Sequence, residues 1–107
     1  MDGSAAVLVV VDDGRPGVVR LVGELDVAGA PEVRARLEGL DGDVEIDCSG
    51  LTFIDSSGLG LFVAVHRACD ARGAKLMIVD PSPRVSQLLE LTGLDAVLDV
   101  RRNGSAQ

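Results

Sequence analysis

Residues 43–80 leave this chain few folds to choose from. "DVEIDCSG" (43–50) alternates Val44, Ile46 and Cys48 with Glu45 and Asp47, the period of a strand with one buried face and one partly wet face. In "SSGLGLFVAVHRACDARG" (56–73) the period changes to that of a helix. Leu59, Phe62, Val63, His66 and Cys69 form one stripe, while Arg67, Asp70 and Arg72 fall outside it. "KLMIVD" (75–80) then returns to a short strand-like run. A strand, a helix and a second strand in immediate succession call for a crossover between parallel neighbours.

The flanking segments extend the same plan. "AAVLVVVDD" (5–13) and "GVVRLVGELD" (17–26) are two strand-like runs about the turn signal "DGRPG", which predicts an N-terminal β-hairpin with its loop at residues 12–17. "APEVRARLEGL" (30–40) spaces Val33, Leu37 and Leu40 as a helix, with Pro31 in its first turn and Gly39 or Gly42 at its stop. "SPRVSQLLELTG" (82–93) is a helix with Ser82 as N-cap and Pro83 first, and "AVLDV" (96–100) reads as the last strand. The expectation is a single α/β domain over residues 5–101, in which the hairpin leads into a mixed, mainly parallel sheet with helices packed on it. Residues 102–107 read as a flexible tail.

Composition limits the partners. A core of some size is expected because 47% of the 107 residues are hydrophobic, and with two phenylalanines and no tyrosine or tryptophan it must be aliphatic. The net charge of −7 repels nucleic acid and anionic lipid, and stacking residues are nearly absent. No apolar run reaches the ~18 residues of a membrane span and no secretion signal opens the chain, so a cytoplasmic, protein-binding domain is expected. Cys48 and Cys69 read as small buried apolar groups, without a disulfide framework. A single histidine, His66, offers no zinc-type constellation, and no cofactor is expected.

The junction "FIDSSGLG" (53–60) carries what chemistry there is. In parallel α/β architecture, functional groups collect where strands end and helices begin, and the first helical N–H groups favour an anion there. Asp55 or Ser56 could simply be an N-cap. A nucleophile elbow requires a glycine two residues before the serine, but Ile54 and Asp55 stand there, and His66 on the apolar stripe reads as a packed or edge residue. A phosphate-receiver arrangement using Asp12, Asp13 and Asp55 fails on order, because a turn and a strand follow the acid pair where a helix is needed. Asp12 and Asp13 read instead as a solvated turn.

"GELDVAGAPEVRARL", "IDCSGLTFIDSSGLGLFVAVHRACDARGAKLMIV" and "PSPRVSQLLELTGLDAVLDV", in this order and spacing, resemble the STAS domain of bacterial anti-sigma factor antagonists over about residues 7–100. The resemblance implies a STAS-type fold and a non-enzymatic protein that binds an anti-sigma factor of the serine-kinase type, thereby releasing a sigma factor. It implies inactivation by phosphorylation of Ser56, reversed by a serine phosphatase. It places partner contacts at Asp26, in "GELD", and at Asp55, Ser56, Ser57, Gly58 and Leu59; Gly58 and Gly60 would let another backbone come close. Gly29 stands where such domains often have a hydroxyl residue, which predicts a looser entry to the first helix. The alternative is a STAS scaffold or ligand-sensing module whose turn is not phosphorylated. Nothing in the sequence commits the chain to an oligomeric state.

Overall fold

The β-branched runs on either side of the early turn pair antiparallel, as β1 (Leu8–Asp12) and β2 (Val18–Leu25). The computed structural model describes residues 8–12 and 14–102. There follow α1 (Ala30–Glu38), β3 (Val44–Ile54), α2 (Ser56–Ala71), β4 (Leu76–Val79), α3 (Pro83–Thr92), a 3₁₀ turn at Leu94–Ala96 and β5 (Asp99–Arg101). The strands lie in the sheet in chain order, and β2, β3, β4 and β5 run parallel. The expected hairpin and mainly parallel sheet are both present. Asp12 belongs to β1 and not to the loop, while Asp13 and residues 103–107 lie outside the described residues.

The third strand is longer than its alternation suggests. It has 11 residues and reaches Ile54, four residues past the "DVEIDCSG" run, so that Phe53 and Ile54 of the expected junction belong to the strand. Its partners on β2 explain the difference. Asp47 and Gly50 face Arg20 and Val22, and Leu51 and Phe53 face Gly23 and Glu24, so β3 carries an extra residue at each of two places. Each bulge shifts the side-chain period by one. The buried positions therefore run Val44, Ile46, Cys48 and then Leu51 and Ile54, and strict alternation is lost after Cys48.

One continuous cluster holds the fold together. Leu21 and Leu25 of β2, Ile46, Cys48 and Ile54 of β3 and Ile78 of β4 meet Val33 and Leu37 of α1, Phe62 and Val65 of α2 and Val85 and Leu89 of α3. Phe62 is fully buried, and burying a side chain of this kind contributes about 1.5–3 kcal/mol. The stripe of α2 is rotated from the expected one: Gly58, Leu61, Phe62, Val65 and Cys69 face the core, while Leu59, Val63 and His66 are half-buried at its border.

The helix ends follow their local chemistry. Ser82 caps α3 by accepting from the Val85 N–H at 3.4 Å, and Gly93 ends it in the left-handed conformation at φ 76°. "AVLDV" is not a strand throughout. Gly93 leads into the 3₁₀ turn, in which the Leu94 carbonyl accepts from both the Val97 and Leu98 N–H, and only Asp99–Arg101 pair with β4. Arg102, expected to begin the tail, donates through its guanidinium to the Ser86 hydroxyl on α3.

Candidate functional site

The site begins with the register of two strands. Leu25 and Ile54 are partners at the carboxyl ends of β2 and β3, and the Asp55 N–H donates to the Leu25 carbonyl at 3.2 Å. Asp26 and Asp55 are the next residues on their chains, so the sheet delivers both carboxylates to the same end. The parallel arrangement alone achieves this, because both strands exit in one direction.

Asp26 has a structural task there. Its Oδ1 accepts from the Ala28 N–H at 3.0 Å and the Gly29 N–H at 3.3 Å, and its carbonyl accepts from the Gly29 and Ala30 N–H. The loose helix entry expected from Gly29 is therefore supplied with acceptors from Asp26: Gly29 has no side-chain bond to give, and Asp26 meets the need from three residues upstream. A carboxylate can satisfy orphan donors at a helix start in this way.

At the second turn the cap is Asp55, not Ser56. Asp55 Oδ1 accepts from the Ser57 N–H at 2.9 Å and the Gly58 N–H at 3.2 Å, and its carbonyl accepts from Leu59. Ser56 is the first residue of α2 and is exposed; among the described residues its hydroxyl makes no hydrogen bond. Ser57 is half-buried. The helix mouth expected to receive a phosphate is thus already occupied by a carboxylate. An anion on Ser56 would stand beside Asp55, in solvent, with two first-turn donors already engaged.

The two glycines have opposite surroundings. Gly58 is buried, and a Cβ built on it would lie 2.5 Å from Ile54 Cγ1 and 2.9 Å from Leu25 Cγ. Glycine is needed there for α2 to settle on the sheet, which replaces the expectation that Gly58 opens the backbone to a partner. Gly60 is exposed, and a Cβ there would meet nothing within 4 Å. The open approach belongs to Gly60. Leu59 is half-buried against the core cluster.

Beside this turn lies a groove of about 370 Å³, lined by Val27, Ala30, Pro31 and Arg34 on one side and Ser57, Gly60 and Leu61 on the other. Across the turn, the Arg84 guanidinium at the start of α3 sits 5.7 Å from the centre of the Phe53 ring, a cation–π distance. The sequence reading missed Val27, Arg34 and Arg84. Val27 carried a signal of sorts, as an apolar residue between a strand end and a helix start where no periodicity requires one.

Other chemistry is remote or lacking. His66 is ten residues along α2 from Ser56, about 15 Å of helix rise, and lies with Asp70, Lys75 and Asp99 in a separate cleft. It cannot reach either serine as a base. Among the described residues no three His, Cys, Asp or Glu side chains converge as metal ligands, and no helix is long and apolar enough to cross a membrane. Cys48 and Cys69 are both free and buried, as expected of packing residues.

A mainly parallel sheet covered by helices, with a carboxylate-capped, serine-bearing helix start at the carboxyl end of its central strand, defines a STAS-type α/β domain. The chain belongs to the STAS domain family: the family model described as "Mlab, STAS domain" matches residues 8–99. It is 33% identical over 85 residues to an anti-sigma-B factor antagonist of Bacillus subtilis, covering 77% of this chain and 78% of that one. An anti-sigma-B factor antagonist of Staphylococcus epidermidis is 37% identical over 87 residues, covering 77% and 80%. The solved structure of the anti-sigma factor antagonist SpoIIAA in its unphosphorylated form superposes with a TM-score of 0.76 at 26% identity, over 92% of this chain and 90% of that one.

Proposed function

We propose that this chain is an anti-sigma factor antagonist whose binding is switched off by phosphorylation of Ser56. The observation that carries the proposal is the exposed Ser56 hydroxyl, without a hydrogen bond among the described residues, at the start of a helix capped by Asp55. The names of the relatives support an anti-sigma factor as the partner. In this reading the unmodified protein binds a serine-kinase anti-sigma factor in the cytoplasm and frees its sigma factor. Asp26, Asp55, Ser56, Ser57 and Leu59 form the contact, with Gly58 acting from below by letting α2 sit close to the sheet.

The chain is the substrate in this exchange, not the catalyst. Ser56 Oγ attacks the γ-phosphorus of the kinase-bound ATP; the Oγ–P bond forms, the bond to the β-phosphate oxygen breaks, ADP leaves and the hydroxyl proton passes to a base of the kinase. The product gains about −1.5 to −2 charges beside Asp55. Exposure of Ser56 allows the fold to keep this group in water. At an interface the group must be desolvated next to a carboxylate, and like-charge juxtaposition there costs several kcal/mol. A serine phosphatase hydrolyses the ester and restores binding.

The test is capture of partners on the tagged protein, followed by incubation with ATP and phosphopeptide mapping. Recovery of a kinase-type anti-sigma factor and phosphate on Ser56 are expected, with release of the complex on modification. Stable capture without any phosphorylation would favour an unmodified scaffold instead.

A further inference from the structure

The groove between α1 and α2 is not needed by the switch, yet it adjoins it. Ser57 belongs to both, so a protein that covers the Ser56 turn meets the groove next. Its walls are largely apolar, from Val27, Pro31 and Leu61, and Val27 is 71% exposed although nothing in the core requires it to be apolar. Above Gly60 the groove is open, because even a Cβ there would touch nothing. Among the described residues lining it, Arg34 is the one charged side chain. Arg34 donates from Nε to Glu38 at 2.9 Å, and its terminal Nη groups make no hydrogen bond among the described residues.

Resting on the antagonist reading above, we propose that this groove receives an apolar side chain of the anti-sigma factor, with a carboxylate of the same segment set against the Nη groups of Arg34. Two features select this occupant. The apolar walls favour a protruding side chain that loses its contact with water on entry. The guanidinium at the edge of the groove engages Glu38 through Nε alone, which leaves its Nη groups to hold a second carboxylate through two parallel hydrogen bonds. The segment thus reads the antagonist by two contacts that phosphorylation does not alter, which separates recognition of the protein from control by Ser56.

Two variants separate this inference from the reading beneath it. The probe is the anti-sigma factor captured by the wild-type chain, purified, loaded with ADP and titrated calorimetrically. If the wild type captures none, the antagonist reading itself falls. Given wild-type binding, Gly60→Leu fills the groove without touching the core and is expected to fold, as judged by circular dichroism, and to lose at least tenfold in affinity. Gly60→Ala, which raises helix propensity but leaves most of the groove open, is expected to melt higher and to bind within about threefold of wild type. Arg34→Glu is independent of packing at Gly60 and is expected to lose at least tenfold as well. Wild-type affinity in Gly60→Leu would overturn occupancy of the groove, and wild-type affinity in Arg34→Glu would overturn the carboxylate. Should Gly60→Leu fail to fold, the Val27 and Leu61 methyl resonances decide the matter: they shift on addition of the partner if the groove is filled, and unchanged positions overturn it.

Discussion

The division of labour between the two serines follows from a difference of one position. Ser56 stands outside the cap bonds and is exposed, whereas the Ser57 N–H is bonded to Asp55 and its side chain faces the groove. Ser56→Ala is therefore expected to bind the partner and accept no phosphate, Ser56→Asp to bind poorly, and Ser57→Ala to remain a substrate. Phosphopeptide mapping that places the phosphate on Ser57 would reverse the assignment. Asp26 requires a finer test, because its carboxylate both holds the entry to α1 and stands at the proposed interface. Asp26→Ala is expected to cost about 1 kcal/mol of stability through loss of the turn bonds to Ala28 and Gly29, in addition to weakening binding. Asp26→Asn keeps an oxygen acceptor and removes the charge. Its urea midpoint should match wild type while its affinity falls; a lowered midpoint with full affinity would make Asp26 purely structural.

At the scale of elements, and among the described residues, local periodicity reveals the three α-helices and the five strands, but neither the 3₁₀ turn at Leu94–Ala96 nor where each element stops. The helix after "DSSG" was legible because caps, glycines and apolar spacing agree there. The length of β3 was not, because its two bulges are set by pairing with β2, which no local pattern contains. The orientation of α2 was lost for a related reason: glycine counts as neutral in a hydrophobic pattern, yet Gly58 is buried against Ile54 and Leu25 and belongs to the face that meets the sheet. The site was legible as a strand-to-helix junction with its serines, whereas the groove was not, since it forms between residues about thirty apart in sequence. A direct check lies in Gly58→Ala. A methyl group 2.5 Å from Ile54 Cγ1 and 2.9 Å from Leu25 Cγ must displace those side chains or α2 itself, and overpacking of this kind costs about 1–3 kcal/mol against the small gain in helix propensity. Far-UV circular dichroism in urea should show Gly58→Ala clearly less stable than wild type, and equal midpoints would mean that the Ile54 and Leu25 side chains or the helix give way at no cost.

The whole molecule responds to alkali through a group unrelated to the switch. Burial, with a smaller contribution from the neighbouring Asp47 charge, pushes the Cys48 thiol up to about 12 from its ordinary 9.0. Below pH 9 the thiol is protonated in both the folded and the unfolded chain, so it adds no pH dependence. Between about 9 and 12 the unfolded chain releases this proton while the folded one retains it, so stability falls as pH rises, by up to about 1.4 kcal/mol per pH step. The sequence makes the effect readable: tyrosine is absent and Lys75 is the one lysine, so few other groups titrate in that window. Cys48→Ala leaves a small cavity and should be less stable than wild type by about 1 kcal/mol at pH 7. Its stability should nevertheless fall less steeply above pH 9, so that the two proteins converge and then exchange order as pH rises. Urea unfolding followed by far-UV circular dichroism at pH 7, 9 and 10.5 measures both slopes. Parallel slopes would show that the Cys48 thiolate is accommodated in the folded protein, and hence that water reaches the inner face of β3.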